Sequence, residues 1–184
     1  MRLYLTGYMA SGKSTLGRKI AKRTELPFFD TDKMIEEAEG ASCADIITFA
    51  GEEYFRQAER RALEQTAEVE DAIISTGGGL PIWSDNQAWI ADHGVSVYLK
   101  RDPEQILSRL SEHGRQKRPK FRGKSDEELL QFMHEHLAER EPIYLKANIV
   151  FDCSQTSDLE IIDQLIDLLD ESLKTRDERV VSNF

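Results

Sequence analysis

The sequence is poor in the residues that build extracellular and metal-centred folds. Of its 184 residues only two are cysteine, Cys43 and Cys153, and four are histidine. The cysteines match no zinc or Cys-x-x-Cys redox spacing, which excludes a disulfide framework and suits a reducing compartment. Both read as buried or incidental thiols. Excess positive charge is also missing. Lys and Arg number 24 against 34 Asp and Glu, a net charge of −10, so the phosphate-seeking surface of a nucleic-acid binder is absent. No run approaches the roughly 20 apolar residues of a membrane span. The opening MRLYLTGY passes through Met9 into ASGKST without the apolar core of a secretory signal. The expectation is a cytoplasmic protein with neither nucleic-acid nor membrane partners. Internal repeats and linker-like stretches are lacking too, so nothing marks a domain boundary.

What is present is enough apolar residue, 40%, for one core in a chain of this length. Short apolar runs at 3–6, 28–30, 72–76, 95–99 and 148–152 predict five strands. The intervals predict helices over 14–24, 31–39, 43–49, 52–67, 84–92, 103–112, 126–145 and 157–174. Such alternation predicts an α/β fold with a parallel sheet covered on both faces. We read 1–174 as a single domain and the polar 175–184 as a frayed tail.

Between the first strand and first helix stands GYMASGKS, Gly7 to Ser14, which matches G-x-x-x-x-G-K-[ST] in the context that motif requires. Gly7 and Gly12 permit a tight turn, so that successive N–H groups through Ala10, Ser11 and Gly12 point at phosphate oxygens beside a helix N-terminus. Lys13 should reach the β- and γ-phosphates and Ser14 should ligate Mg2+, with Thr15 close by. The chain contains no N-K-x-D base-reading motif and no D-x-x-G switch, which disfavours a GTPase. Strand 72–76 ends in glycines instead of the Asp-Glu of a hydrolytic ATPase. The aspartate that closes an early strand is Asp30, and it is the candidate to hold Mg2+ with Ser14, through water.

Asp32 then needs another duty, as a helix N-cap or as a contact to a second substrate. Three glycines, Gly77, Gly78 and Gly79, follow the third strand on the edge where ligands bind in open α/β sheets. They suit close backbone approach to a small ligand. In the helix opened by Ser125, a capping box with Glu128, the stripe Leu129, Leu130, Met133 and Leu137 carries Arg140 onto the buried face, where it needs an anion. Arg56 sits at the edge of a face formed by Phe55, Ala58 and Ala62, either paired with Glu59 or free to bind a carboxylate. Finally, 112–126 gathers His113, Arg115, Lys117, Arg118, Lys120, Arg122 and Lys124, either a solvated loop or a lid that closes over anions. Together these residues describe a phosphoryl-transfer enzyme with a small anionic acceptor, and they do not name it.

The residues quoted so far resemble those of the shikimate kinase family. GYMASGKST, DTD after the second strand, FRQAERRAL leading into IISTGGGLP, KRPKF and EREPIY occur in the family's order over residues 1 to about 150. The resemblance implies a three-layer P-loop kinase fold with a five-stranded parallel sheet of order 2-3-1-4-5 and a mobile lid at about 112–126. It implies a monomer that moves the γ-phosphate of ATP, with Mg2+, to the 3-hydroxyl of shikimate in aromatic amino-acid biosynthesis. Asp32 would bind the acceptor hydroxyls and take the proton, so that Lys13, Asp32 and Arg118 form the catalytic set. Arg56 and Arg140 would clamp the carboxylate, Gly77, Gly78 and Gly79 would contact the ring hydroxyls, and the acceptor region would span about 31–63. Arg118 and Arg109 would serve the nucleotide. The chain departs from the pattern at Lys120, where relatives carry an aliphatic residue, and at 152–158, which lacks an arginine near the adenine. A gluconate-type kinase is the nearest alternative, followed by a nucleoside-monophosphate kinase. A non-catalytic nucleotide binder would have lost Lys13, Asp30, Asp32 or Arg118, and all four are present.

Overall fold

The computed structural model describes residues 1–153 and 157–168. Its strands are β1 (Arg2–Thr6), β2 (Phe28–Asp30), β3 (Ala72–Ser75), β4 (Val95–Lys100) and β5 (Ile149–Asp152). All pairings are parallel, in the order β2-β3-β1-β4-β5, as the resemblance implied. Leu3, Leu5, Ile73, Val97 and Leu99 turn to one face, while Tyr4, Ala72 and Ile74 turn to the other. Both sets are apolar, which is why the sheet needs helices on both sides.

Those helices are α1 (Lys13–Thr24), α2 (Thr31–Glu39), α3 (Cys43–Ala50), α4 (Glu52–Gln65), α5 (Asn86–His93), α6 (Pro103–Arg109), α7 (Glu112–Gln116), α8 (Asp126–Tyr144) and α9 (158–168). Leu16 and Ile20 of α1 pack with Ile161, Ile162 and Leu165 of α9 on the first face. Leu63 of α4 and Ile90 of α5 cover the second. Two satellite clusters carry the functional regions. Ile35, Ile46, Phe55, Ala58 and Ala62 hold α2, α3 and α4 together. Tyr8, Phe121, Leu129, Met133, Leu137 and Tyr144 join the cradle loop and the 112–126 segment to α8. No helix among the described residues is long and apolar enough to cross a membrane.

Two helix boundaries differ from expectation for a local reason. The helix expected over 103–112 stops at Arg109, because Ser111 caps a new helix: its Oγ accepts from Gly114 N at 3.0 Å. The helix expected from 84 begins at Asn86, since Ser84 has φ 53°, outside the right-handed helical region. The last helix is described only over 158–168. The frayed tail expected over 175–184 and part of the 152–158 loop lie outside the described residues.

Candidate active site

The loops after β1, β2 and β3 all open on one edge of the sheet. Gly7 (φ 135°) and Gly12 (φ 99°) shape the first of them, and a Cβ at Gly7 would lie 3.0 Å from the Leu99 carbonyl oxygen. Ala10 also takes a positive φ, 63°, so the loop stores strain where the phosphates are expected. Lys13 is 6% exposed and donates to the carbonyls of Gly7 and Tyr8, both at 2.8 Å. Burial lowers its pKa to about 8, with Asp32 acting in the opposite direction. Ser11 is buried and its Oγ has no partner among the described residues. Thr15 faces outward.

The end of β2 places Asp30 in the field of Lys13. Asp30 is in register with Ser75, whose hydroxyl lies 3.1 Å from that of Ser14. Two hydroxyls thus meet at the foot of the cradle, and Asp30 ends the neighbouring strand. Among the described residues no cluster of three or more His, Cys, Asp or Glu could hold a metal by itself. That suits Mg2+, which keeps several waters and takes much of its coordination from substrate phosphates.

Asp32 is not a cap. Asp30 occupies the N-cap of α2 without a side-chain capping bond, and Asp32 lies in the first turn. Its carboxyl pKa is pushed up to about 6, first by burial and then by Asp30, while Lys13 and Arg118 pull it down. Asp32, Lys13 and Arg118 therefore share one field.

The three glycines meet three different neighbours. A Cβ at Gly77 would stand 2.5 Å from Asp32 Oδ1 and 3.0 Å from Glu59 Oε1, one at Gly78 would stand 3.0 Å from Met9 N, and one at Gly79 would collide with Arg56 Nη1. Bare α-carbons are what let Asp32, the cradle and Arg56 converge. The Gly77 N–H is donated to Thr31 Oγ1 at 2.9 Å, and among the described residues the N–H groups of Gly78 and Gly79 have no such side-chain acceptor.

Arg56 is paired with Glu59 (2.5 Å) and Glu52 (2.8 Å). Glu59 is buried, and that burial raises its pKa to about 7 against the pull of Arg56. The internal ion pair is therefore present, and it pins Arg56 against the glycine loop. Arg140 lies on the apolar face of α8, as the stripe required. It has no ion pair among the described residues, and its charge acts on the phenol of Tyr144. His136 lies close to it, held neutral by burial and by Arg140 and Lys120, with a pKa of about 4, so it adds no charge. Lys120 shares the field of Arg140, Glu52 and Arg56, so the departure at this position adds a third cation beside the two arginines.

With this geometry the comparisons are decisive: the shikimate kinase family model matches residues 9–170. The chain belongs to the shikimate kinase family. A shikimate kinase of Bacteroides fragilis is 38% identical over 169 residues, 92% of this chain and 94% of the relative. One from Parabacteroides distasonis is 43% identical over 154 residues, covering 84% and 88%. The crystal structure of the Bacteroides thetaiotaomicron shikimate kinase superposes with a TM-score of 0.84 at 36% identity over 92% of this chain and 98% of that one. An Acinetobacter baumannii shikimate kinase in complex with shikimate gives 0.82 at 27% identity, covering 93% of both chains. A Sinorhizobium meliloti gluconokinase reaches only 0.57 at 18% identity over 95% of this chain and 96% of that one, a likeness of fold alone. The activity is ATP-dependent phosphorylation of shikimate, a step of aromatic amino-acid biosynthesis.

In this shikimate kinase the nucleotide side holds residues that sequence reasoning missed. Arg101, 3% exposed, donates to the Ser11 carbonyl at 2.9 Å and to Asp158 Oδ1 at 3.0 Å. Asp158 Oδ2 accepts from Arg109 at 2.6 Å. Arg109 is thus tied to the cradle through Asp158 and Arg101. The available signal was a charged residue directly after the buried strand β4, inside KRDP. Arg118 donates to the Gly114 carbonyl at 2.6 Å, and three residues later Phe121 is buried against α8. That aromatic anchors the 112–126 segment over the site.

Proposed function

We propose that the two aspartates of this shikimate kinase divide the work, Asp30 with Ser14 toward Mg2+ and Asp32 toward the acceptor. The observation that supports this most is the placement of Asp32. It is not spent on capping, and it shares a field with Lys13 and Arg118 next to Gly77. Arg56 and Arg140 take the shikimate carboxylate, and the N–H groups of Gly78 and Gly79 meet its hydroxyls. Lys13 exchanges the Gly7 and Tyr8 carbonyls for the β- and γ-phosphates, while Arg109 lies against the nucleobase side. Mg2+, when bound, neutralises charge on the phosphates. The 3-hydroxyl oxygen forms a bond to the γ-phosphorus as the bond to the ADP oxygen breaks, and the hydroxyl proton passes to Asp32. Because such a transition state is loose, the proton leaves late and Asp32 serves first to orient the hydroxyl. Arg118 offsets charge on the transferred group, and closure of 112–126 about the Phe121 anchor excludes water.

We read 1–174 as one catalytic domain, with its acceptor region at 31–63, working as a cytoplasmic monomer. The single connected sheet and the acidic composition support that reading. The division of labour is tested by titrating Mg2+ into the Asp30→Asn variant. The half-saturating Mg2+ concentration should rise about tenfold, with activity largely restored at high Mg2+. An unchanged titration would remove Asp30 from the metal site.

A further inference from the structure

Arg101 stands in the two-residue link between β4 and α6 and is 3% exposed. Its backbone is fixed from both sides: the Lys100 carbonyl accepts from Cys153 N at 2.9 Å, and the Asp102 N–H donates to Gln105 Oε1 at 3.2 Å. The guanidinium divides its donors between two elements. Nε donates to the Ser11 carbonyl at 2.9 Å and Nη2 to Asp158 Oδ1 at 3.0 Å. Asp158 opens α9, which packs through Ile161 and Ile162 against Leu16 and Ile20 of α1. The counter-ion of Arg101 is therefore held against the helix that begins at the cradle.

At Gly12, packing gives the cradle little support. Ala10 and Gly12, on either side of Ser11, both take positive φ, 63° and 99°, and a Cβ at Gly12 would meet nothing within 4 Å. Glycine populates either sign of φ, so packing at Gly12 does not stop the Ser11–Gly12 peptide from turning over. The Ser11 N–H is donated to the Tyr8 carbonyl at 3.2 Å, which fixes the preceding peptide. The bond from Arg101 acts on the Ser11–Gly12 peptide itself. A trans peptide is planar, with its carbonyl and N–H on opposite sides, so a carbonyl bound to Arg101 turns the Gly12 N–H away from Arg101. Gly12 is the N-cap of α1 and has no side-chain capping bond; its N–H is one of those that a helix start leaves for an anion.

We propose that Arg101 is a positioning residue for the nucleotide phosphates: its fork, anchored on Asp158, holds the Ser11 carbonyl and keeps the Gly12 N–H turned toward them. This rests on the reading of the cradle as the phosphate site. Without Arg101 the peptide samples both orientations, and binding is weakened by the fraction that points the wrong way. Removing Arg101 strands no carboxylate, because Asp158 Oδ2 keeps Arg109 at 2.6 Å. Methionine, unbranched and flexible, fills the space of the stem.

The experiment measures KM for ATP and for shikimate, Ki for inorganic tripolyphosphate, and Tm in Arg101→Met and Arg101→Lys. Arg101→Met should raise the ATP KM and the tripolyphosphate Ki together, about tenfold each, the scale of one charge-assisted hydrogen bond, while the shikimate KM stays within about twofold. Tripolyphosphate has no base, so its equal loss separates the cradle from an effect passed through Asp158 to Arg109. Arg101→Lys keeps the charge and the stem but cannot grip carbonyl and carboxylate with separate nitrogens, and should raise the same two constants about fivefold. It decides the matter by the same readouts if the methionine variant does not fold. An ATP KM within about twofold of wild type, a loss for ATP without a loss for tripolyphosphate, or an equal rise in the shikimate KM would overturn the proposal by reducing Arg101 to a packing residue or a support for Arg109. If the cradle reading itself is wrong, the failure shows separately: Lys13→Met would then bind tripolyphosphate as tightly as wild type does.

Discussion

Asp32→Asn is expected to lower kcat about 10³-fold, within the range for loss of a positioned acid–base group, while ATP binding measured without shikimate survives within a few-fold. The amide keeps the shape of the carboxylate and can still touch a hydroxyl, so shikimate KM should move far less than kcat. It cannot accept the departing proton, and it removes the anion that faces Lys13 and Arg118. Lys13 is already partly compensated by the Gly7 and Tyr8 carbonyls, and nucleotide phosphates take over as its partner. The two measurements are steady-state turnover and an ATP titration. Turnover near wild type would remove Asp32 from the mechanism.

Arg140→Ala should raise the shikimate KM by about 10²-fold or more, since two charge-assisted hydrogen bonds of about 1.5–3 kcal/mol each are at stake. The variant is clean because Arg140 has no ion pair among the described residues, so its removal strands no buried carboxylate. Arg56→Ala is a poorer test. It would leave Glu59 buried without its partner and lower stability as well as affinity, as broken buried pairs do. Shikimate methyl ester sharpens the measurement. Wild type should prefer the acid strongly, and Arg140→Ala should lose most of that preference. If the variant discriminates as wild type does, the carboxylate lies elsewhere.

The parts of the fold and site written in local pattern are legible in the amino-acid order itself. Alternating apolar runs mark the strands, and the glycine-bracketed cradle sits where its motif places it. The stripe of Leu129, Met133 and Leu137 carries Arg140 to the buried face. Two readings needed the third dimension. Asp32 has the composition of a cap, and only the start of α2 at Thr31 shows that Asp30 holds that position. Arg56 has two alternatives at the sequence level, and the fold contains the ion pair while leaving the arginine beside Gly79. The contacts of Tyr144, Thr31, Arg101 and Asp158 are not legible, because each joins residues 46 to 90 positions apart and no local period encodes such pairings. The break after Arg109 escapes for a local reason: a serine cap competes with an otherwise continuous helical pattern.

The most direct test of the acceptor site is ADP release by the purified protein with ATP and Mg2+, run in parallel with shikimate, shikimate methyl ester, gluconate, AMP and no acceptor. Fast release with shikimate, much slower release with the ester and background release in the other three arms is the expected result. Equal release in all five would contradict a site built from Asp32, Arg56 and Arg140 around a hydroxylated carboxylate.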